Sequence, residues 1–164
     1  MLEVGNGMST NEDRAHFSMW CMIAAPLILG DDLSKMTNET RAIILNKKVI
    51  AIDQDKLGVQ GLRYKIENEV EYWFKPLEGG DWAFCLLNRS TEPASCNIDW
   101  QEFNLTDDEV SGLSTAFDTT IYNIEILWEA NARKAKVGIT QKPLKVTVPG
   151  HDVVIYRLTP AKKK

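Results

Sequence analysis

Acidic side chains are the first candidates for chemistry in this chain of 164 residues. Asp31 and Asp32 stand side by side directly after the apolar run Leu27-Ile28-Leu29-Gly30. Carboxylates at the carboxyl end of a buried strand are where a parallel-barrel enzyme places its catalytic groups. The plainer expectation, and the favoured one, is that they cap the turn that follows. Asp53 and Asp55 have the spacing of some cation ligands, but the glycine and closing glutamate of an EF-hand loop are missing. A solvated loop is expected there. His151 beside Asp152 has the makings of an acid/base pair. No nucleophile keeps it company, so it reads as a turn residue after Pro149-Gly150. Trp73, Trp82 and Trp100, with Trp128 a fourth, would stack on sugar rings if exposed and brace a small core if buried. Their place inside apolar strands favours the core. His16 and His151 are far apart in sequence, so neither a metal site nor a cofactor is expected.

The three cysteines, Cys21, Cys85 and Cys96, form neither a disulfide framework nor a zinc pattern. Free, buried thiols are expected. Cys85 and Cys96 would lie opposite each other if the chain turns in a hairpin near Ser90-Thr91, but directly opposed bridges are geometrically demanding. A formal net charge of −4 argues against nucleic acid, which needs a basic face to displace counterions. No run approaches the roughly 20 apolar residues of a membrane-spanning helix. Residues 161–164, ending in three lysines, read as a disordered, solvated tail. Asn38, Asn88 and Asn104 open glycosylation acceptor patterns, and the pattern alone supports no conclusion.

The elements that must position these residues change character near residue 61. Leu2 and Val4 alternate with Glu3 before Gly5-Asn6-Gly7, a strand running into a turn. Ser9 and Glu12 have the spacing of a capping box. Phe17, Trp20, Cys21 and Ala24 follow helical periodicity, and Pro26 is expected to stop the helix. Leu27–Leu29 suits a fully buried parallel strand. Thr37 caps a second helix, about residues 38–46. Val49-Ile50-Ala51-Ile52, ending in Asp53-Gln54-Asp55, reads as the linker out of this half. From Leu62 the period becomes two. Strands are expected at residues 70–75, 82–87, 94–100, 120–128, 135–139, 144–148 and 153–158, the pattern of an antiparallel sandwich. The fold class is thus α/β followed by all-β. Two strand–helix units cannot close a barrel, which takes eight and at least about 200 residues. The chain is therefore expected to begin partway through a longer protein.

Three segments resemble glycoside hydrolase family 27, the α-galactosidases and α-N-acetylgalactosaminidases. Met1-Leu2-Glu3-Val4-Gly5-Asn6-Gly7-Met8, with Arg14 to Trp20, is similar to the family's penultimate barrel strand and its helix. Ala24 to Leu33 resembles the last strand, and Asn46 to Asp55 the exit from the last helix. Leu86-Leu87-Asn88-Arg89 and Val148 to Val154 resemble the C-terminal antiparallel domain. The resemblance implies residues 1–61 as the last two units of a (β/α)8 barrel with linker, and residues 62–160 as the sandwich. It also implies a retaining hydrolase that removes terminal α-linked galactose or N-acetylgalactosamine with two aspartates. Both would lie on strands preceding Met1, so no catalytic residue is assigned in this chain. Met1 alone matches a substrate-binding position, an apolar wall of the sugar pocket. Asp31 and Asp32 match the last strand end, with no catalytic role. Lys56 stands where the family usually has proline, and Asp53 where it often has asparagine.

An isolated chain of this kind is expected to be inactive, with self-association of the truncated barrel portion. The expected partner of the parent is an α-galactoside, and the family's addresses are secreted, periplasmic or lysosomal. The alternative is a non-catalytic carbohydrate-binding or interaction module, which requires an exposed row of tryptophans.

Overall fold

A computed structural model describes residues 1–30, 32–107 and 112–161. Asp31 and the lysine tail at 162–164 therefore lie outside the described residues. Helices α1 (Thr10–Met22), α2 (Asn38–Ile44) and α3 (Lys47–Asp53) precede the strands. Five strands β1 (Leu62–Glu67), β2 (Val70–Pro76), β3 (Trp82–Asn88), β4 (Ala94–Ile98) and β5 (Thr106–Asp107) follow. After them come β6 (Leu113–Ser114), β7 (Tyr122–Ile126), short helix α4 (Ala132–Ala135), β8 (Lys136–Ile139), β9 (Leu144–Val148) and β10 (Val153–Pro160). The main antiparallel sheet has the order β1-β2-β3-β10-β7-β8, β4 pairs with β9 in a small second sheet, and β5 pairs with β6 in a short third one.

The middle of the main sheet is covered on both faces, so β2 is buried along its length apart from half-buried Trp73, Glu71 and Lys75 included. Val70, Tyr72 and Phe74 point into the sandwich, together with Phe84, Ile98, Trp100 and Tyr156. The opposite face, carrying Ala83, Cys85 and Ile155, packs against Phe17, Cys21 and Met22 of α1. The molecule therefore has a helical layer, a six-stranded middle sheet and a two-stranded outer sheet. On the sandwich side the aromatic rings nest closely: Phe84 lies 4.6 Å from Phe74 and 5.3 Å from Trp100 between centroids.

Local signals in the helical layer work as written. The Ser9 side chain accepts from the Glu12 N–H, and the Glu12 carboxylate accepts from the Ser9 N–H at 2.8 Å, a complete capping box. Thr37 Oγ1 accepts from the Thr40 N–H at 3.1 Å. Three expectations need correction. Helix α1 ends at Met22, and Ala24 turns the chain at φ 53°, so neither Ala24 nor Pro26 belongs to its last turn. The apolar segment at residues 49–52 is not an extended linker but the body of α3, capped by Asn46 Oδ1. Leu27–Leu29 is not a fully buried strand. Leu2 and Leu29 form one parallel bridge, with Leu2 N–H donating to Ile28 O at 2.8 Å and Gly30 N–H to Leu2 O at 2.9 Å. Ile28 is 59% exposed, because no further strand lies beside the pair among the described residues.

Two more corrections fall in the sandwich. Trp100 begins a 3-10 turn, Trp100–Glu102, instead of ending β4, although Cys96, Ile98 and Trp100 are all buried as their alternation requires. The hairpin near Ser90-Thr91 does not exist: β3 pairs with β2 and β10, while β4 crosses to β9. Cys85 faces the helical layer and Cys96 the sandwich interior, and all three thiols are free.

Burial pushes the Cys21 and Cys85 thiols up from 9.0 and the Tyr72 and Tyr156 phenols up from 10.0. A raised folded-state pKa contributes stability that is complete below the unfolded value and lost as pH rises past it. Lys75, wholly buried, is shifted the other way by desolvation, so its opposing contribution grows with pH and levels off near 10.5. The thermal midpoint is therefore expected to fall steadily above about pH 10.5. A circular-dichroism melt series from pH 7 to 11.5 checks this; a midpoint unchanged across that range contradicts it.

Candidate functional site

The acidic candidates among the described residues, Asp32, Asp53 and Asp55, sit in local hydrogen-bonding and packing roles. Asp32 Oδ1 accepts from the Ser34 N–H at 3.0 Å and hydroxyl at 2.6 Å, and these bonds hold its carboxyl below the usual carboxylate value. It caps the 3-10 turn Leu33–Lys35. Asp55 Oδ1 accepts from the Leu57 and Glu78 N–H groups at 3.0 and 2.9 Å, clasping the α3 exit to the β2–β3 connection. Asp53 turns one oxygen to Gln54 and leaves the other buried without a hydrogen-bond partner. Burial raises its carboxyl above the ordinary value, opposed by Gln54 and the charge of Lys75. Lys75 Nζ donates to the Cys21 carbonyl at 3.2 Å, at the C-terminal end of α1. No group of three or more acidic, histidine or cysteine side chains suited to a metal occurs among the described residues.

His151 is a turn residue, held at φ 51°. Its neighbour Asp152 is fully buried and is not the partner of His151. Arg14 Nε donates to Asp152 Oδ1 at 2.8 Å, Arg14 Nη2 donates to the second oxygen, and the Val153 N–H donates to Oδ1 at 2.8 Å. The pair joins α1 to the start of β10 across 138 residues of sequence. Sequence reasoning missed Arg14; the available signal was an arginine one turn after the capping box of an otherwise core-facing helix. The turn itself admits only glycine at residue 150, where an added Cβ would sit 2.0 Å from the Thr91 carbonyl oxygen. Asn88 is also buried, its amide donating to Val148 O and Pro149 O at 3.1 Å each, so its acceptor pattern is sealed in the fold.

Among the described residues there is no exposed tryptophan row. Trp82 and Trp100 are buried at 4% and 1% exposure. Trp73 and Trp128 are half-buried, with indole N–H groups donating to Glu71 Oε2 at 2.8 Å and Ser18 Oγ at 3.0 Å. Glu71, itself buried, also accepts from Arg89 Nε at 2.5 Å.

Three of the concave regions among the described residues carry acidic, histidine or tryptophan side chains. A groove of about 520 Å³ runs between α1 and the helix-covered face of the main sheet, with Trp20, Trp73, Arg89 and His151 along it. Another of about 490 Å³ lies where α2 and α3 meet the end of β7, with Glu39 and Glu129 among its walls. A polar recess of about 300 Å³ opens between the β1–β2 hairpin and β4, with Glu67 and Glu102 at its edge. A proton donor in glycoside hydrolysis needs a raised carboxyl pKa. Lys65 moves Glu67 the opposite way: its hydrogen bond and charge hold that carboxyl low. Met1 is 71% exposed at the end of the parallel strand pair and lines none of these three regions.

Comparison with known proteins gives this architecture its context. Residues 67–158 match the model of the alpha galactosidase C-terminal beta sandwich domain, and residues 1–55 match that of alpha galactosidase A. The chain is 42% identical over 160 residues to alpha-galactosidase A of Cellvibrio japonicus, covering 98% of this chain and 38% of that protein. The structure of alpha-galactosidase I from Mortierella vinacea superposes with a TM-score of 0.80 at 29% identity, over 99% of this chain and 40% of that one. The Saccharomyces cerevisiae alpha-galactosidase solved with raffinose gives 0.78 at 26% identity, over 98% of this chain and 46% of that one. Sandwich, helical layer and these likenesses together define a portion of a glycoside hydrolase. More narrowly, the chain belongs to the α-galactosidase family, glycoside hydrolase family 27. It spans less than half the length of each of these relatives, from 38% to 46%.

Proposed function

We propose that the chain is the C-terminal part of a retaining α-galactosidase, with residues 1–61 forming the last two units of its (β/α)8 barrel and residues 62–160 its sandwich domain. The observation that carries this is the Leu2–Leu29 parallel bridge with α1 between its two strands and α2–α3 after the second. Parallel neighbours need a crossover, and strand–helix–strand–helix is the barrel's repeating unit. The layout supports a division of labour. The parent removes terminal α-linked galactose by double displacement, using two carboxylates about 5–5.5 Å apart on strands outside this chain. Met1, at the strand end, contributes an apolar wall to the sugar pocket. The open flanks of the strand pair and the exposed Ile23, Ile28 and Leu33 favour self-association of the chain on its own.

Rate enhancement in this chemistry depends on holding both carboxylates in register across the bond. The pure chain is therefore expected to release no product from an aryl α-galactoside above the buffer rate. Measurable turnover that tracks the protein through purification would sink the proposal.

A further inference from the structure

We propose that the polar recess between the β1–β2 hairpin and β4 is a binding site for a single neutral pyranose of the galactose type. The choice of sugar rests on the proposed function; the site rests on the recess itself. Its floor is Tyr72, only 3% exposed, and the half-open Cys96 strand. Lys65 Nζ stands 4.6 Å above the centroid of the Tyr72 ring and 5.5 Å above that of Phe103, while donating to Glu67 Oε2 at 2.9 Å. A cation and a carboxylate are thus fixed side by side over an aromatic surface. Asn68, Asn97 and Glu102 stand exposed around the rim.

This set of groups matches a polyol. Adjacent hydroxyls both donate and accept, so they can bridge an ammonium and a carboxylate at once, and amides at the rim serve either role. An ion pair with one further carboxylate gives no reason to prefer a charged guest. The volume, about 300 Å³, is at the low end for ligand sites and suits one ring better than a chain of them. The recess opens on the sandwich side. Val70, Tyr72 and Cys96 belong to the sandwich core, whereas α1 covers the other face of the same sheet. Polypeptide added to the helical side leaves the recess accessible, which is not true of the Trp20–Trp73 groove beside α1. The site is non-catalytic: it would hold a sugar away from the barrel, close enough in sequence to keep a galactoside-rich substrate near the enzyme.

The test is a titration of the isotopically labelled 164-residue chain with galactose, followed by amide shifts. Saturable shifts at Lys65–Tyr72 and Ser95–Asn97 are expected, with a Kd on the order of millimolar, as one small ring allows. Asn97→Ala and Lys65→Met should each weaken binding at least about tenfold, the scale of one or two lost polar contacts. Both replace partly or fully exposed side chains, and unchanged dispersion elsewhere in the spectrum verifies that the fold is intact. Absence of saturable shifts, or shifts that survive both substitutions, overturns the site. Either failure leaves the proposed function standing, since the aryl-galactoside assay reads that separately.

Discussion

Phe84→Ala should lower the unfolding free energy by about 3–5 kcal/mol, the usual cost of emptying a large aromatic site in a rigid core. The residue is fully buried on β3, and β3 is flanked by β2 and β10 in the middle of the main sheet. Its ring meets Phe74, Trp100, Phe103, Tyr72 and Tyr156 at centroid distances from 4.6 to 6.2 Å. These neighbours come from β2 and β10 of the main sheet and from the 3-10 turn that follows β4, so collapse around the void would need separate segments to move together. Such rings cannot follow a shrinking side chain without leaving their rotamer wells. Urea denaturation reads the effect directly, with a shifted midpoint at constant slope. A loss under about 1 kcal/mol would mean that the aromatic cluster is not what holds the two sheets together.

How much of this was legible follows from the range of each interaction. The Ser9–Glu12 box and the Thr37 cap are read correctly because donor and acceptor are three residues apart. Alternation located the strands for the same reason: each residue reports its own face. Alternation could not reveal that the second face of β2 was covered, so Lys75, on that face with Glu71 and Trp73, gave no sign that it would be wholly buried. Partner choice was equally hidden. The supposed β3–β4 hairpin followed chain order, yet β3 takes β10 as its neighbour and β4 takes β9, both more than forty residues downstream. Residues 49–52 show the limit of short apolar runs, which suit a strand or a buried helix equally. Asn46, placed to cap a helix at Lys47, was the sign that decided between them. The candidate site was least legible of all. Asp152 and His151 are adjacent in sequence, but the carboxylate turns to an arginine on another layer.

That arginine supports the second large effect. Arg14→Met should destabilise the chain by about 3–5 kcal/mol, because it strands a carboxylate in a site from which water is excluded. Asp152 has no exposed side-chain surface, and Arg14 only 28%. With the guanidinium gone, the Val153 N–H is the one remaining donor seen to the Asp152 carboxylate among the described residues. The loss should spread beyond the pair. Arg14 also donates to Asn11 Oδ1 at 3.2 Å, and the Asn11 amide donates to Gly150 O at 3.2 Å, so the same contacts dock the first turns of α1 on the β9–β10 turn. Pairing the change with Asp152→Asn separates the two contributions. Removing the buried charge as well as its counterion should recover part of the stability, since a matched polar or apolar replacement of a buried pair costs far less than a broken one. The double variant is thus expected to be more stable than the sum of the single losses predicts, with a coupling of about 1–3 kcal/mol. Strict additivity would show that Arg14 acts by packing its methylenes against the sheet and not by neutralising Asp152. The helical layer would then be held to the sandwich by the apolar contacts of Phe17, Cys21 and Met22 together with neutral and backbone hydrogen bonds such as Trp128 to Ser18 and Lys75 to the Cys21 carbonyl.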